Sequence, residues 1–386
     1  MFKSAIEEIE DKIISWRRDF HQHPELSFQE SRTSKVIAAF MKECGLKVYK
    51  QKNGFGIIGD LVGAEKGRKI AFRADMDAVP IQEETDLPYA SKHSGVMHAC
   101  GHDGHMASLM GAIKILSSMK DKIKGTIRFI FQPAEEVTPG GAKGLIEEGV
   151  LRGVDAIYGV HLWSEYAIGT FYTTFGPMMA ASDKFKIIIH GKGGHGAMPH
   201  KTIDPILIAS HVVMATQHVI SRYIDPIESG VISFGKLHSG TAFNVIADKA
   251  ELEGTVRSFS PEVRDFLQQQ LEHTALNIGQ LYGAQIDVLY ERGYPAVVNH
   301  EKEAQLALQA AENVFGKDAI GIMPPNMAGE DFAYYLEKVP GAFCFIGAGD
   351  TRKIVYPHHH PKFEIDERAL KLATEWFCQM AYQYVF

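Results

Sequence analysis

With 386 residues, the chain exceeds what one hydrophobic core ordinarily serves, so two domains are expected. Its 45% hydrophobic and 23% charged residues are those of a soluble globular protein, and it lacks the apolar run of roughly 18 residues that a membrane span needs. A formal net charge of −7, with no Lys/Arg cluster to offset it locally, excludes nucleic acid as the main partner. The start, Met1 to Glu8, becomes charged at once and has no signal-peptide core, while Cys44, Cys100, Cys344 and Cys378 form no disulfide-like framework. A cytoplasmic protein is expected.

Ile6, Ile9, Ile13, Trp16 and Phe20 recur at helical spacing, predicting one amphipathic helix that His23-Pro24 ends. Ser27 followed by Glu30 reads as a capping box for a second helix reaching about Cys44. Strands are expected at 56–62 and 69–73, the latter leading into Arg73-Ala74-Asp75-Met76-Asp77-Ala78. A helix over about 105–119 and a buried strand over 125–132 follow, the strand closed by Pro133 and trailed by Glu135 and Glu136. After a helix containing Leu145 and Ile146, a strand over 156–160 delivers His161. Polar residues thus stand repeatedly just past buried strands, where open α/β sheets build their sites. Residues 182–293 change pattern to strand, helix, strand, strand, helix, strand, an α+β unit of domain size. Helices at about 302–315 and 331–339, a strand at 342–347 and a last helix from about 366 complete the chain. The expected architecture is an α/β catalytic domain (1–181 and 294–386) interrupted by an inserted domain (182–293).

The densest chemistry lies in His98-Ala99-Cys100-Gly101-His102-Asp103-Gly104-His105. A thiolate and an imidazole two residues apart on a turning backbone suit a metal, whereas a polar glycine-rich loop is the bland alternative. Adjacent Glu135 and Glu136 point to opposite sides of an extended backbone, so one can bind a metal while the other faces water. That division fits metal-assisted hydrolysis, in which a Lewis acid acidifies water and a carboxylate takes its proton. Taken singly, the glutamates read as a solvated pair at a helix start and His161 as a core histidine. His358, His359 and His360 read as either an exposed loop or a further ligand source. A second cluster, Gly191-Lys192-Gly193-Gly194-His195-Gly196-Ala197-Met198-Pro199-His200, suits a mobile loop presenting an imidazole. Asn244 and Arg257 suit a carboxylate, Arg257 through its planar fork.

Six motifs in order carry a resemblance to the dinuclear-metal aminoacylase and carboxypeptidase-like amidohydrolases: Arg73 to Ala78, His98 to His105, Gln132 to Glu136, Gly193 to Ala197, Gly329-Glu330-Asp331-Phe332 and His359-His360-Pro361. The nearest branch is that of hippurate hydrolases, auxin-conjugate hydrolases and N-acetyldiaminopimelate deacetylases. The resemblance implies a mostly parallel sheet flanked by helices, with an inserted ferredoxin-like lid that also forms a homodimer. It implies two divalent ions (zinc, manganese, cobalt or nickel) held by Cys100, His102, Glu136, His161 and His359. Glu135 becomes the general base and acid, Asp77 an orienting partner of the ligands, and His195 the lid histidine that stabilises the oxyanion. Asn244, Arg257 and His200 fall at substrate positions. Two departures lie near the expected pocket: Ala247 stands where the family has proline, and Trp163-Ser164-Glu165-Tyr166 replaces a proline-rich turn.

The expected activity is hydrolysis of an N-acyl amino acid. The rivals are a dipeptidase or aminopeptidase on the same scaffold, a cysteine hydrolase with Cys100 as nucleophile and His102 or His105 as base, and a binding protein that has lost catalysis.

Overall fold

A computed structural model describes residues 2–386, which divide into two compact units. Of these, the first comprises residues 2–178, Val297–Pro325 and Asp331–Phe386; the second comprises Met179–Ala296 and Asn326–Glu330.

In the first unit an eight-stranded sheet runs in the order Lys47–Lys50, Ile57–Val62, Lys124–Gln132, Glu65–Asp75, Ala156–Ala167, Gly341–Gly349, Phe171–Thr173, Ile320–Ile322. Its middle strands, from Lys124–Gln132 to Gly341–Gly349, are mutually parallel, and antiparallel pairs lie towards the edges. The central strands are buried along most of their length and largely apolar there, as expected of strands covered on both faces. Helix His102–Ser118 has the same character: Met106, Leu109, Met110, Ile113 and Leu116 are all essentially inaccessible. A helix apolar all round can only sit inside. The C-terminal helix Arg368–Val385 packs against it, with Trp376 buried and its Nε1 donating to the Ala307 carbonyl at 3.2 Å.

The expected first helix is two, Lys3–Glu7 and Glu10–Gln22. Glu7 and Asp11 would repel each other one turn apart on a continuous helix. The expected capping box does not form. Helix Ser31–Glu43 is capped by Glu25, whose carboxylate accepts from the Arg32 and Thr33 N–H groups at 2.9 and 2.8 Å.

The second unit runs strand, helix, strand, strand, helix, strand. Its four-stranded antiparallel sheet has the order Gly230–Ser239, Lys249–Ser258, Ala181–His190, Gln285–Glu291. Helices Pro205–His218 and Pro261–Tyr282 cover one face, closing a separate core around Phe185, Ile187, Leu252, Leu267 and Leu271. Asp204 and Ser260 cap these helices, each followed by proline at the first helical position.

Candidate active site

The carboxyl ends of the parallel strands deliver the site. Asp75 ends one strand opposite Gln132, which ends its neighbour, and His161 lies opposite Phe345 in the next pair. Gly101, at φ 88°, makes the turn between Cys100 and the first residue of the following helix, His102, a conformation a side chain would oppose. The expected helix start at about His105 is therefore three residues late, and His102 is fixed by helix rather than loop.

These turns bring seven sequence-predicted residues together: Cys100, His102, Glu135, Glu136, His161, His359 and Asp77. Potential ligand atoms of Cys100, His102 and His161 lie within 4.8 Å of one another, as do those of Cys100, Glu136 and His359. Cys100 Sγ is 3.5 Å from His161 Nε2, and His359 Nε2 is 3.1 Å from Glu136 Oε1. Glu135 and Glu136 form a third such group with His102. This corrects the expectation that the two carboxylates diverge: they lie in a bend after left-handed Ala134 (φ 54°), not in extended chain, and both turn inward. The triple histidine is also sorted. His358 is half-buried with Nε2 3.1 Å from the Leu162 carbonyl, and His360 stacks on Tyr356, which leaves His359 facing Glu136.

Hydrogen bonds set the imidazoles in ligand form. His161 Nδ1 donates to the Leu162 carbonyl at 3.0 Å, leaving the Nε2 lone pair towards Cys100. His102 Nδ1 donates to the Asp77 carbonyl at 2.9 Å, and its buried Nε2 has no hydrogen-bond partner. A ligating histidine anchored through its other nitrogen has this arrangement. Burial, with His105 and His358 nearby, holds His161 neutral. Burial would lower His102 too, but Asp75, Asp77 and Glu136 overcome it and raise His102 to about 10, the mark of a site that attracts cations. Burial and the carboxylates of Glu136, Glu135 and Asp75 push the Cys100 thiol well up. Such a thiol ionises against a cation, not as a free nucleophile.

Around these groups stands a charged framework in which the sequence reading gave a role to His105 alone, as a rival base. Arg73, 1% exposed, reaches Asp75 at 2.6 Å, Asp331 at 2.8 Å and Gln132 at 2.9 Å. Asp75 accepts from His105 Nδ1 at 2.6 Å, and His105 Nε2 accepts the Leu162 N–H at 2.9 Å. With both nitrogens engaged, His105 is no base for Cys100; it steadies the backbone beside His161. Asp331 accepts from Gln132 and from the Ala142 N–H, pinning both ends of the loop that carries Glu135 and Glu136. The available signal was a run of charges at the end of an otherwise apolar strand.

The model of peptidase family M20/M25/M40 matches residues 71–383. The chain belongs to that family. It is 46% identical over 300 residues to an N-acyl-L-amino acid amidohydrolase of Geobacillus stearothermophilus, covering 78% of this chain and 81% of the relative. It is 43% identical to thermostable carboxypeptidase 1 of Saccharolobus solfataricus, over 96% and 95% of the two chains. Among solved structures, YXEP of Bacillus subtilis, described as a dinuclear metal binding peptidase from the M20 family, is 39% identical with a TM-score of 0.84 over 97% and 98%. Like these relatives, the chain is a hydrolase of amide bonds, and the candidate ligand groups above are consistent with metal dependence.

The remaining predicted residues of this M20 chain lie in its second unit. His195 is in a two-residue strand, Gly194–His195, paired with Val245–Ile246, and the Gly196 N–H donates to the Asn244 carbonyl at 2.8 Å. His195 and Asn244 are therefore neighbours. A Cβ at Gly193 or Gly196 would stand 2.9 or 2.8 Å from a backbone oxygen of the paired segment, so these glycines serve close approach of the two segments. Arg257 is partly committed: Nε donates to the Met327 carbonyl at 3.2 Å and Nη1 to Thr255 and the Val256 carbonyl. His200 lies exposed in the short turn Pro199–Lys201. Among the described residues, no helix is long and apolar enough to cross a membrane.

Proposed function

We propose that the protein is a metal-dependent amidohydrolase that converts N-acyl amino acids into a carboxylic acid and a free amino acid. The observation that carries this reading is the pair of triads sharing Cys100, which offers two cation positions joined by one thiolate. Cys100, His102, Glu136, His161 and His359 are then the ligands of two divalent ions. A thiolate favours zinc, while carboxylate and imidazole admit manganese, cobalt or nickel. When bound, the ions supply Lewis acidity to the amide carbonyl and to water. Glu135 takes the proton of the attacking water and returns it to the departing amine nitrogen. Asp77 fixes His102 and the Glu136 N–H, and His195 donates to the developing oxyanion. Asn244, Arg257 and His200 receive the substrate carboxylate. Both named relatives support this class, since an N-acyl amino acid and a peptide with a free C-terminus present the same amide beside the same carboxylate.

The second unit serves as lid and dimerisation domain. Its outermost strand Gly230–Ser239 has Leu237 45% exposed, and the adjoining Phe243 is fully exposed. Ile206, Leu207 and Met214 are exposed on the helix packed against that sheet. Such an edge is a template for a second copy. We infer that the enzyme works in the reducing cytoplasm, a reading supported by four unpaired cysteines.

The test is metal content and hydrolysis of N-acetyl and N-benzoyl amino acids beside free dipeptides, before and after chelation, with metals restored singly. About two metals per chain and chelator-sensitive release of the amino acid are expected. Turnover of dipeptides alone would move the assignment to a dipeptidase, and failure to bind metal would overturn the ligand set.

A further inference from the structure

The segment Ser27–Glu30, which does not cap the helix it precedes, lies against both loops of the candidate centre. Ser27 Oγ donates to Asp77 Oδ2 at 2.6 Å, and the same oxygen accepts the Glu136 N–H at 3.0 Å. Asp77 is also the residue whose carbonyl holds His102 Nδ1. Glu30 is fully buried, and its Oε1 accepts two N–H groups, from Phe28 at 3.1 Å and from Ala134 at 2.8 Å. Phe28 (φ 62°) and Ala134 (φ 54°) both have left-handed backbones that their side chains disfavour. One carboxylate oxygen thus secures two strained turns, and the second of them aims Glu135 and Glu136. The segment is itself held in place: Leu26 bridges Ala78, and the Ala78 N–H donates to the Glu25 carbonyl at 2.8 Å. With Glu25 already capping the helix, a buried carboxylate at position 30 has no capping task to explain it. Its other oxygen has no hydrogen-bond partner, a costly placement for a residue acting only as packing.

We propose that Ser27 and Glu30 are positioning residues of the hydrolytic centre, Ser27 setting the Asp77 carboxylate behind His102 and Glu136, and Glu30 setting the Ala134 turn that aims Glu135 and Glu136. The proposal rests on the amidohydrolase reading for its kinetic consequences but not for its metal-binding ones. Ser27 acts on the ligands and Glu30 on the loop of the base, so their removal has different signatures.

The experiment compares Ser27→Ala, Ser27→Thr, Glu30→Leu and Glu30→Gln in the full chain loaded with cobalt(II). Cobalt affinity is read by competition with a chromophoric chelator and ligand geometry by the visible spectrum, beside kcat, KM and the melting temperature. Ser27→Ala is expected to weaken cobalt binding by about 10- to 100-fold at unchanged melting temperature, and Ser27→Thr to restore it to within about threefold. Glu30→Leu is expected to alter the cobalt spectrum and lower kcat at least about tenfold with KM within about twofold, whereas Glu30→Gln, which keeps an acceptor oxygen, stays near the parent. If Glu30→Leu does not fold, the Ser27 pair and Glu30→Gln decide. Parent-like cobalt affinity and spectrum in Ser27→Ala, or losses in Glu30→Gln as large as any in Glu30→Leu, would overturn the proposal. A parent enzyme that hydrolyses neither acyl amino acids nor dipeptides would defeat the functional reading instead, and the cobalt measurements would still judge the brace.

Discussion

Arg73→Met tests whether the buried charge framework is what holds the strand ends in register. Methionine keeps an unbranched apolar stem of similar reach, so the loss is mainly one of charge and hydrogen bonds, not volume. The guanidinium now faces Asp75 at 2.6 Å and Asp331 at 2.8 Å, each pair almost wholly inaccessible. Breaking one buried pair from one side costs about 3–5 kcal/mol because a charge is left uncompensated. The two losses do not simply add, because Asp75 keeps His105 and Asp331 keeps Gln132 and the Ala142 N–H. We therefore expect about 5 kcal/mol, against a domain stability of roughly 5–15 kcal/mol. At roughly 2–4 °C per kcal/mol, the melting temperature falls by about 10–20 °C. Burial already holds Asp331 above the usual carboxylate range while Arg73 pulls it down, so removing Arg73 raises it further. A carboxylate whose folded pKa exceeds its unfolded one costs stability as pH rises through that folded value. The deficit should therefore shrink between pH 8 and pH 6. Differential scanning calorimetry of metal-loaded protein at both pH values measures this. A melting temperature within about 2 °C of the parent, or a deficit that grows on acidification, would refute the assignment.

Glu135→Gln is expected to keep fold and metal content while kcat falls by more than about 100-fold, since proton removal and return both fail; near-parent turnover in steady-state assays would remove Glu135 from the chemistry. In His195→Ala, turnover should fall far more than metal content, as measured by atomic absorption. Proportional loss of the two would instead make His195 a ligand. Burial raises the Asp60 carboxyl, but Arg128 at 2.6 and 2.7 Å and Lys69 overcome this and hold it below its usual value. Stability from that pair is present above about pH 4 and lost as pH falls through the folded value. The melting-temperature gap between parent and Asp60→Asn should stay constant from pH 6 to about pH 4 and narrow as pH falls further, and a gap that does not narrow would contradict the pairing. The proposed homodimer through the outer strand of the second unit requires that Leu237→Asp halve the mass seen by light scattering; an unchanged mass would refute that contact.

The parts legible in the sequence were those with short periods. Buried parallel strands announce themselves as apolar runs, and helix Pro261–Tyr282 follows from its serine cap, its proline and its terminal glycine. The candidate ligands were legible only as a set, because a thiol, imidazoles and carboxylates recur together just past buried strands, and His359 was separable from His358 only through the motif. What the sequence hid depended on backbone departures and on distance. Neighbouring side chains diverge only while the chain is extended, so nothing in Glu135-Glu136 itself foretold that a left-handed alanine would turn both inward. The cause of that turn, Glu30, is 104 residues away from Ala134. Locally it resembles a helix cap, and that local reading masked the distant one.

The same separation explains why the motifs alone understate the site. Arg73, Asp75, His105 and Asp331 act here through bonds to one another and to the backbone, a role that residue type alone does not disclose. Only their pairing reveals the order of dependence: Arg73 holds Asp75, Asp75 holds His105, and His105 holds the Leu162 N–H beside His161. An error at Arg73 is therefore transmitted along rigid, fully buried hydrogen bonds to the imidazole facing Cys100. A surface charge at the same separation would be screened by water. Burial makes this framework expensive to assemble, and burial also makes it stiff enough to hold the side-chain donor atoms of Cys100, His102 and His161 within 4.8 Å of one another.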